Sequence, residues 1–256
     1  MSSAPIGPNG KPVTDDGFLI PFGVYDDVSS VNKFGLNPAI ATGVREEIWD
    51  GSAVYPFPAT ALMTKLNTTA DQPGLRDTEI EVQGLDADWT LTVQNVTLDD
   101  TDTTTLVVLA TPLLRVFRMK VLADVVAVTS ITLVNDADDV LYGNIEPGNN
   151  QTEMAIYTVP ANHTAFLTQW YGNHLPATGV QPTSLDFKLW ASDRAVPSAA
   201  RVQGHVGLPQ DAHFRHKFYP YMGFTEKTDI FVTAKPVGAT VAVTAGFDLI
   251  LVNHGQ

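Results

Sequence analysis

From Val44 onward, apolar and polar side chains alternate with a period of two. Thr78-Glu79-Ile80-Glu81-Val82-Gln83 sets Ile80 and Val82 on one face and Glu79, Glu81 and Gln83 on the other. After Gly84-Leu85-Asp86-Ala87, the run Asp88-Trp89-Thr90-Leu91-Thr92-Val93-Gln94 turns Trp89, Leu91 and Val93 inward. This pattern predicts an antiparallel hairpin with one wet and one buried face. Shorter runs follow at 104–109, 114–122 and 130–134, punctuated by the polar clusters at 99–102 and 136–139. A second series begins near Asp139. Its first two runs, 152–159 and 164–171, are joined by Pro160-Ala161-Asn162-His163, where Pro160 blocks ladder pairing and Asn162 tolerates a left-handed turn. Runs at 184–190, 201–206, 213–219 and 229–234 lead to a long final strand, 240–252. There Val241, Val243, Ala245, Phe247, Leu249 and Leu251 share one face, and Ile250 and Val252 make the end of the other face apolar too.

Turn signals about every 8 to 12 residues predict an all-β fold, an antiparallel sandwich, jelly roll or barrel. Composition points the same way. Val, Thr and Ile make up 66 of the 256 residues, and β-branched side chains favour strands over helices. Residues 1–43 stand apart, with Pro5, Pro8, Pro12, Pro21, Pro38 and six glycines, and without a sustained period. They read as an extended N-terminal arm, followed by a first β-sandwich region at 44–136 and a second, jelly-roll-like one at 137–256. The arm carries Phe18, Leu19, Ile20, Phe22, Val24 and Tyr25, an apolar patch suited either to docking on a partner or to folding back on its own body.

Charge narrows the function classes. With 15 basic against 28 acidic residues the chain carries −13, which argues against nucleic acid as partner. No run approaches the roughly 20 apolar residues of a membrane span, and the N-terminus has no signal-peptide pattern. Cysteine is absent, removing disulfides, zinc–thiolate sites and thiol nucleophiles.

Candidate chemistry is sparse. The histidines are His163, His174, His205, His213, His216 and His254. In a regular strand His213, Arg215 and Lys217 share one face, while Phe214, His216 and Phe218 share the other. That makes His216 a core or interface histidine rather than a metal ligand. The acidic clusters at 99–102 and 136–139 are the places best suited to a hard cation, but neither follows a calcium-loop spacing, so both read as solvated turns. No Gly-x-Ser-x-Gly and no phosphate-cradling loop occurs. No catalytic residue, metal site or cofactor is expected. Trp49, Tyr55, Phe57, Trp170, Tyr171, Trp190, Phe218, Tyr219 and Tyr221 are candidates for a carbohydrate platform or subunit interface, with Trp49 and Trp190 assigned to ordinary core.

Several stretches resemble a family of structural proteins of tailed, mainly marine, bacteriophages. They are Glu47-Ile48-Trp49-Asp50-Gly51, Tyr55-Pro56-Phe57-Pro58, the run from Val82 to Trp89, Leu113-Leu114-Arg115-Val116-Phe117-Arg118, the run from Gln151 to Ala161, and the closing run from Ala245 to Val252. The resemblance covers roughly residues 44–252 and leaves out the arm. One turn departs from it: Asn162-His163 stands where such proteins usually read Gly-Lys. The resemblance implies a virion component without enzymatic activity. Its expected form is a capsid decoration (cement) protein, a homotrimer on the head exterior that binds the major capsid protein and is made in the host cytoplasm. Rival classes are a tail or neck appendage whose aromatics bind glycan, and a β-sandwich polysaccharide hydrolase.

Overall fold

The protein is described from a computed structural model covering residues 16–51, 53–177, 179–196, 199–210 and 212–255. Of the described residues, 56% lie in strands and 3% in helix. A four-residue helix, α1 (Asp16–Leu19), precedes sixteen strands. These are β1 (Val28–Ile40), β2 (Glu46–Glu47), β3 (Met63–Thr68), β4 (Glu79–Leu85), β5 (Leu91–Thr97), β6 (Val107–Leu113), β7 (Arg115–Val121) and β8 (Ile131–Val134). Then come β9 (Leu141–Ile145), β10 (Ile156–Thr158), β11 (His163–Pro176), β12 (Ser184–Asp193), β13 (Arg201–Pro209), β14 (Phe214–Phe224), β15 (Thr228–Val237) and β16 (Val241–Asn253).

The strands form two nested sandwiches. One sheet runs β1-β16-β11-β14, and its counterpart runs β10-β15-β12-β13 with β2 added on β15. Between them lies a core that includes Trp170, Phe187, Leu189, Val232, Phe247 and Leu249. The other sandwich stacks β6-β3-β8-β9 on β5-β4-β7 around Leu66, Ile80, Val82, Leu113, Met119 and Leu133. The chain therefore enters the first sandwich with β1 and β2, leaves to build the second from β3–β9, and returns with β10.

This corrects the serial division at 43 and 136. Residues 28–40 are not arm: β1 pairs antiparallel along β16 from Val28↔Val252 to Ile40↔Val241. Residue 136 is not a boundary either, because β8 and β9 on its two sides form a hairpin, Ile131↔Ile145 to Val134↔Leu141. β1 escaped the periodicity for a physical reason. Its buried positions include Lys33, Gly35 and Asn37, whereas Phe34 and Leu36 are only half-buried. Gly35 sits against backbone: a Cβ there would lie 2.3 Å from the Ile48 carbonyl and 2.5 Å from the Ala155 nitrogen. Asn37 donates to the Glu46 carboxylate and the Glu47 carbonyl.

The long-strand expectation holds for β16, where Val241, Val243, Ala245, Phe247, Leu249 and Leu251 are all buried. Asn162 has φ 60°, the left-handed turn expected of it. The β4–β5 hairpin forms with Glu79↔Thr97 to Leu85↔Leu91, but its inward face differs from the expectation. Leu91 and Val93 are exposed, while Val96 and Leu98 are buried. Trp89 lies in the turn before β5, with φ 64°. Asp86 accepts from the Asp88 and Thr90 amides and closes that turn, so alternation counted through it comes out one residue out of phase.

Candidate functional site

Two places gather side chains from distant parts of the chain. The first is the seam between the sandwiches. Arg115, at the start of β7, donates from Nε and Nη2 to the Asp229 carboxylate of β15 at 2.9 and 3.1 Å. Arg194 approaches the same carboxylate at 2.6 Å, and Thr158 Oγ1 donates to it at 2.5 Å. Arg115 also donates to the Pro58 carbonyl and lies over the Phe57 and Trp89 rings. Arg115 and Asp229 are both buried, so this is a desolvated ionic pin between two β bodies. Sequence reasoning missed it, because Arg115 and Asp229 are 114 positions apart.

Lys33 belongs to the same seam. Its ammonium donates to the Phe117 carbonyl, and burial, aided by nearby Arg118, lowers its pKa from 10.5 to about 7. Asp50, also buried, is held well above the usual carboxylate range by desolvation. The Lys33 shift has a testable sign. Between about pH 7 and 10.5 the unfolded chain keeps a proton on Lys33 that the native state has lost, so this residue's contribution to stability falls as pH drops from 10.5 to 7. Lys33→Met is expected to raise the urea midpoint clearly at pH 6.5 and much less at pH 10. An equal gain at both values would show that Lys33 is not titrating as described.

The second place is the outer face of the β1-β16-β11-β14 sheet. A register shift between Leu167 and Gln169 lets both Thr168 and Gln169 line this face. Thr168 Oγ1 donates to the Asp248 carbonyl at 3.2 Å, and the Gln169 amide donates to the Asp248 carboxylate. Asn32 of β1 donates to the same carboxylate at 2.5 Å. Arg215 Nε of β14 donates to Gln169 Oε1 at 2.7 Å. A row of polar groups from all four strands thus fixes one another across the sheet. Around this row lies a groove of about 880 Å³ bordered by Tyr25, Lys217, Phe218, Tyr219 and Tyr221. It continues past Asn32, Gln169, Arg215 and Asp248 into a second hollow of about 460 Å³, toward Tyr171 and His213.

No family model, curated protein or solved structure matches the chain.

The N-terminal patch divides at this groove. Leu19, Ile20 and Val24 are buried against the protein's own body, while Phe18, Phe22 and Tyr25 are exposed. Phe18 and Phe22 stack on each other at 5.6 Å. Residues 17–25 therefore fold back, which corrects the picture of a fully extended arm; residues 1–15 lie outside the described residues.

The aromatic candidates separate in the same way. Trp49, Tyr55 and Trp170 are buried, and Trp49, Tyr55, Phe57 and Phe231 form a chain of ring contacts at 5.1, 4.9 and 4.9 Å. Trp190 stacks on Phe231 at 6.3 Å. The groove holds Phe218, Tyr219 and Tyr221, with Tyr171 in its second hollow. Among the histidines, His216 is exposed with its ring against Phe218, which corrects the core half of its core-or-interface reading. His205 meets Asp186 at 2.6 Å, and β13 and β14 belong to different sheets, so His205 and His216 do not share a ladder.

The acidic turns use their carboxylates internally. Asp99 accepts from the Thr101 and Asp102 amides and the Thr101 hydroxyl, and Asp102 accepts from Thr104. Asp136 pairs with Lys65 at 2.8 Å, and Asp139 accepts from Asn135. No cluster of three or more His, Asp or Glu able to hold a metal ion occurs among the described residues.

Proposed function

We propose that the protein is a non-enzymatic bacteriophage virion component, a decoration protein seated on the head exterior against the major capsid protein as a homotrimer. The sequence resemblance over residues 44–252 supports the virion assignment. The structural observation that supports docking is the Phe18–Phe22 pair: two stacked rings left exposed on a segment whose neighbours Leu19, Ile20 and Val24 are buried. Paired aromatics that stay in water on a folded protein mark a contact surface, because burying them on a partner releases substantial apolar area. Two sandwiches joined by a buried ionic pin make a stiff body, suited to a part that must hold its shape on a shell.

A second reading, a tail or neck appendage, is favoured by the aromatic groove on the outer sheet face. Stoichiometry separates the two. Purified particles are split into heads and tails, and the chain is quantified in each by mass spectrometry. Decoration requires hundreds of copies per head, since a closed icosahedral shell repeats its binding site, whereas an appendage is present in about a dozen copies or fewer.

A further inference from the structure

The groove on the outer face of the β1-β16-β11-β14 sheet combines two cations that form no salt bridge among the described residues, a pre-ordered polar floor and the exposed rings of Tyr219 and Tyr221. We propose that it binds an acidic oligosaccharide, a run of sugar rings bearing carboxylate groups. This goes beyond the virion assignment and does not depend on it.

Charge selects the class of ligand. The chain carries −13 overall, yet Arg215 and Lys217 of β14 border the groove, and His213, just before that strand, borders its second hollow. Among the described residues, neither Arg215 nor Lys217 forms a salt bridge. Arg215 spends Nε on Gln169, and its Nη groups form no hydrogen bond among the described residues. A guanidinium placed in this way suits a carboxylate, which it can bind through two parallel bonds. The one acid of the floor, Asp248, is already held by Asn32 and Gln169, which reduces its repulsion toward an anionic guest.

The rings select sugar over other anions. Tyr219 is 98% exposed and Tyr221 52%, and both border the groove with Tyr25 and Phe218. A pyranose presents an apolar C–H face and a polar hydroxyl edge. Tyrosine rings accept the first, and the locked Asn32–Asp248–Gln169–Arg215 row faces the second without losing side-chain freedom on binding. Nucleic acid fits poorly, because so few cations on an acidic protein neutralise few phosphates. The core of a protein interface is depleted of charge, whereas this groove carries Arg215, Lys217 and Asp248.

The test uses the purified full chain in titration calorimetry. Short oligogalacturonates are the acidic probe, and malto-oligosaccharides of equal length are the neutral one. Binding of the acidic probe alone is expected, weakening as salt is added. Arg215→Gln and Tyr221→Ala should each lower affinity by about tenfold or more, while Val128→Ala, on an exposed loop away from the groove, leaves it unchanged. Lys217→Gln serves as a second charge variant should Arg215→Gln fail to fold. Four outcomes would overturn the assignment: no binding of the acidic probe, equal binding of the neutral probe, groove variants that bind like the parent, or self-association through this face, seen in sedimentation velocity and abolished by Tyr221→Ala. Absence of the chain from virions would leave the calorimetry untouched, so the two assignments fail separately.

Discussion

Deleting residues 1–43 is expected to unfold the first sandwich, whereas deleting residues 1–27 leaves a cooperative β body. The longer cut removes β1, which pairs along β16 over eleven registered positions, and strips one edge from a sheet whose inner face is core. It also removes the fully buried Ile40, the half-buried Phe34 and Leu36, and the Lys33 contact to β7. Each fully buried aliphatic or aromatic side chain contributes about 1.5–3 kcal/mol, against a net stability of about 5–15 kcal/mol for a domain. Losing the strand therefore removes a substantial share of that margin and also strips β16 of its hydrogen-bonded neighbour. The shorter cut removes Leu19, Ile20 and Val24, whose burial is largely offset by the roughly 1–2 kcal/mol per residue needed to order their segment. Urea unfolding followed by circular dichroism distinguishes the two. A 1–43 deletion that keeps the parental midpoint and slope would mean that β1 is dispensable and that its pairing with β16 does not hold the sandwich together.

Asp229→Ala should be strongly destabilising. The Asp229 carboxylate is fully buried and accepts from Arg115, Arg194 and Thr158. Removing it leaves the Arg115 guanidinium buried without a counter-charge, which costs about 3–5 kcal/mol. The paired replacement Arg115→Met with Asp229→Leu should recover much of that loss, since it removes both buried charges together and Arg194 can turn to solvent. Both changes are read from urea midpoints at neutral pH. A loss below about 1 kcal/mol for Asp229→Ala would show that the pin is not desolvated.

Much of the fold was legible wherever one face of a strand is apolar and the other wet. β16 is the clearest case: all six alternating apolar residues are buried. β4 and the turn at Asn162 were equally readable. β1 was not, because its buried face holds Lys33, Gly35 and Asn37, which serve close backbone approach and hydrogen bonding rather than hydrophobic burial. The reversed phase of Leu91 and Val93 was hidden by the left-handed turn at Trp89. Nesting of one sandwich within the other could not be read locally either, since it depends on β1 finding β16 some 200 residues later.

The candidate site was legible in pieces. The face shared by His213, Arg215 and Lys217 and the nearby Tyr219 and Tyr221 were visible as patterns, and all five border the groove. What joins them is tertiary: a bulge in β11 that brings Thr168 and Gln169 to one face, and a folded-back N-terminal segment that supplies Tyr25. No spacing rule encodes either. The seam was invisible for the same reason, because Arg115 reads as a polar interruption in an apolar strand until Asp229 is placed beside it.

The decoration role stands or falls on where the chain sits in the particle, and quantifying it in purified heads and tails reads that position out. Fractionation with heads at hundreds of copies each is expected, a repeat number that only the capsid lattice provides. Absence from both fractions, or confinement to tails at about a dozen copies or fewer, would contradict it.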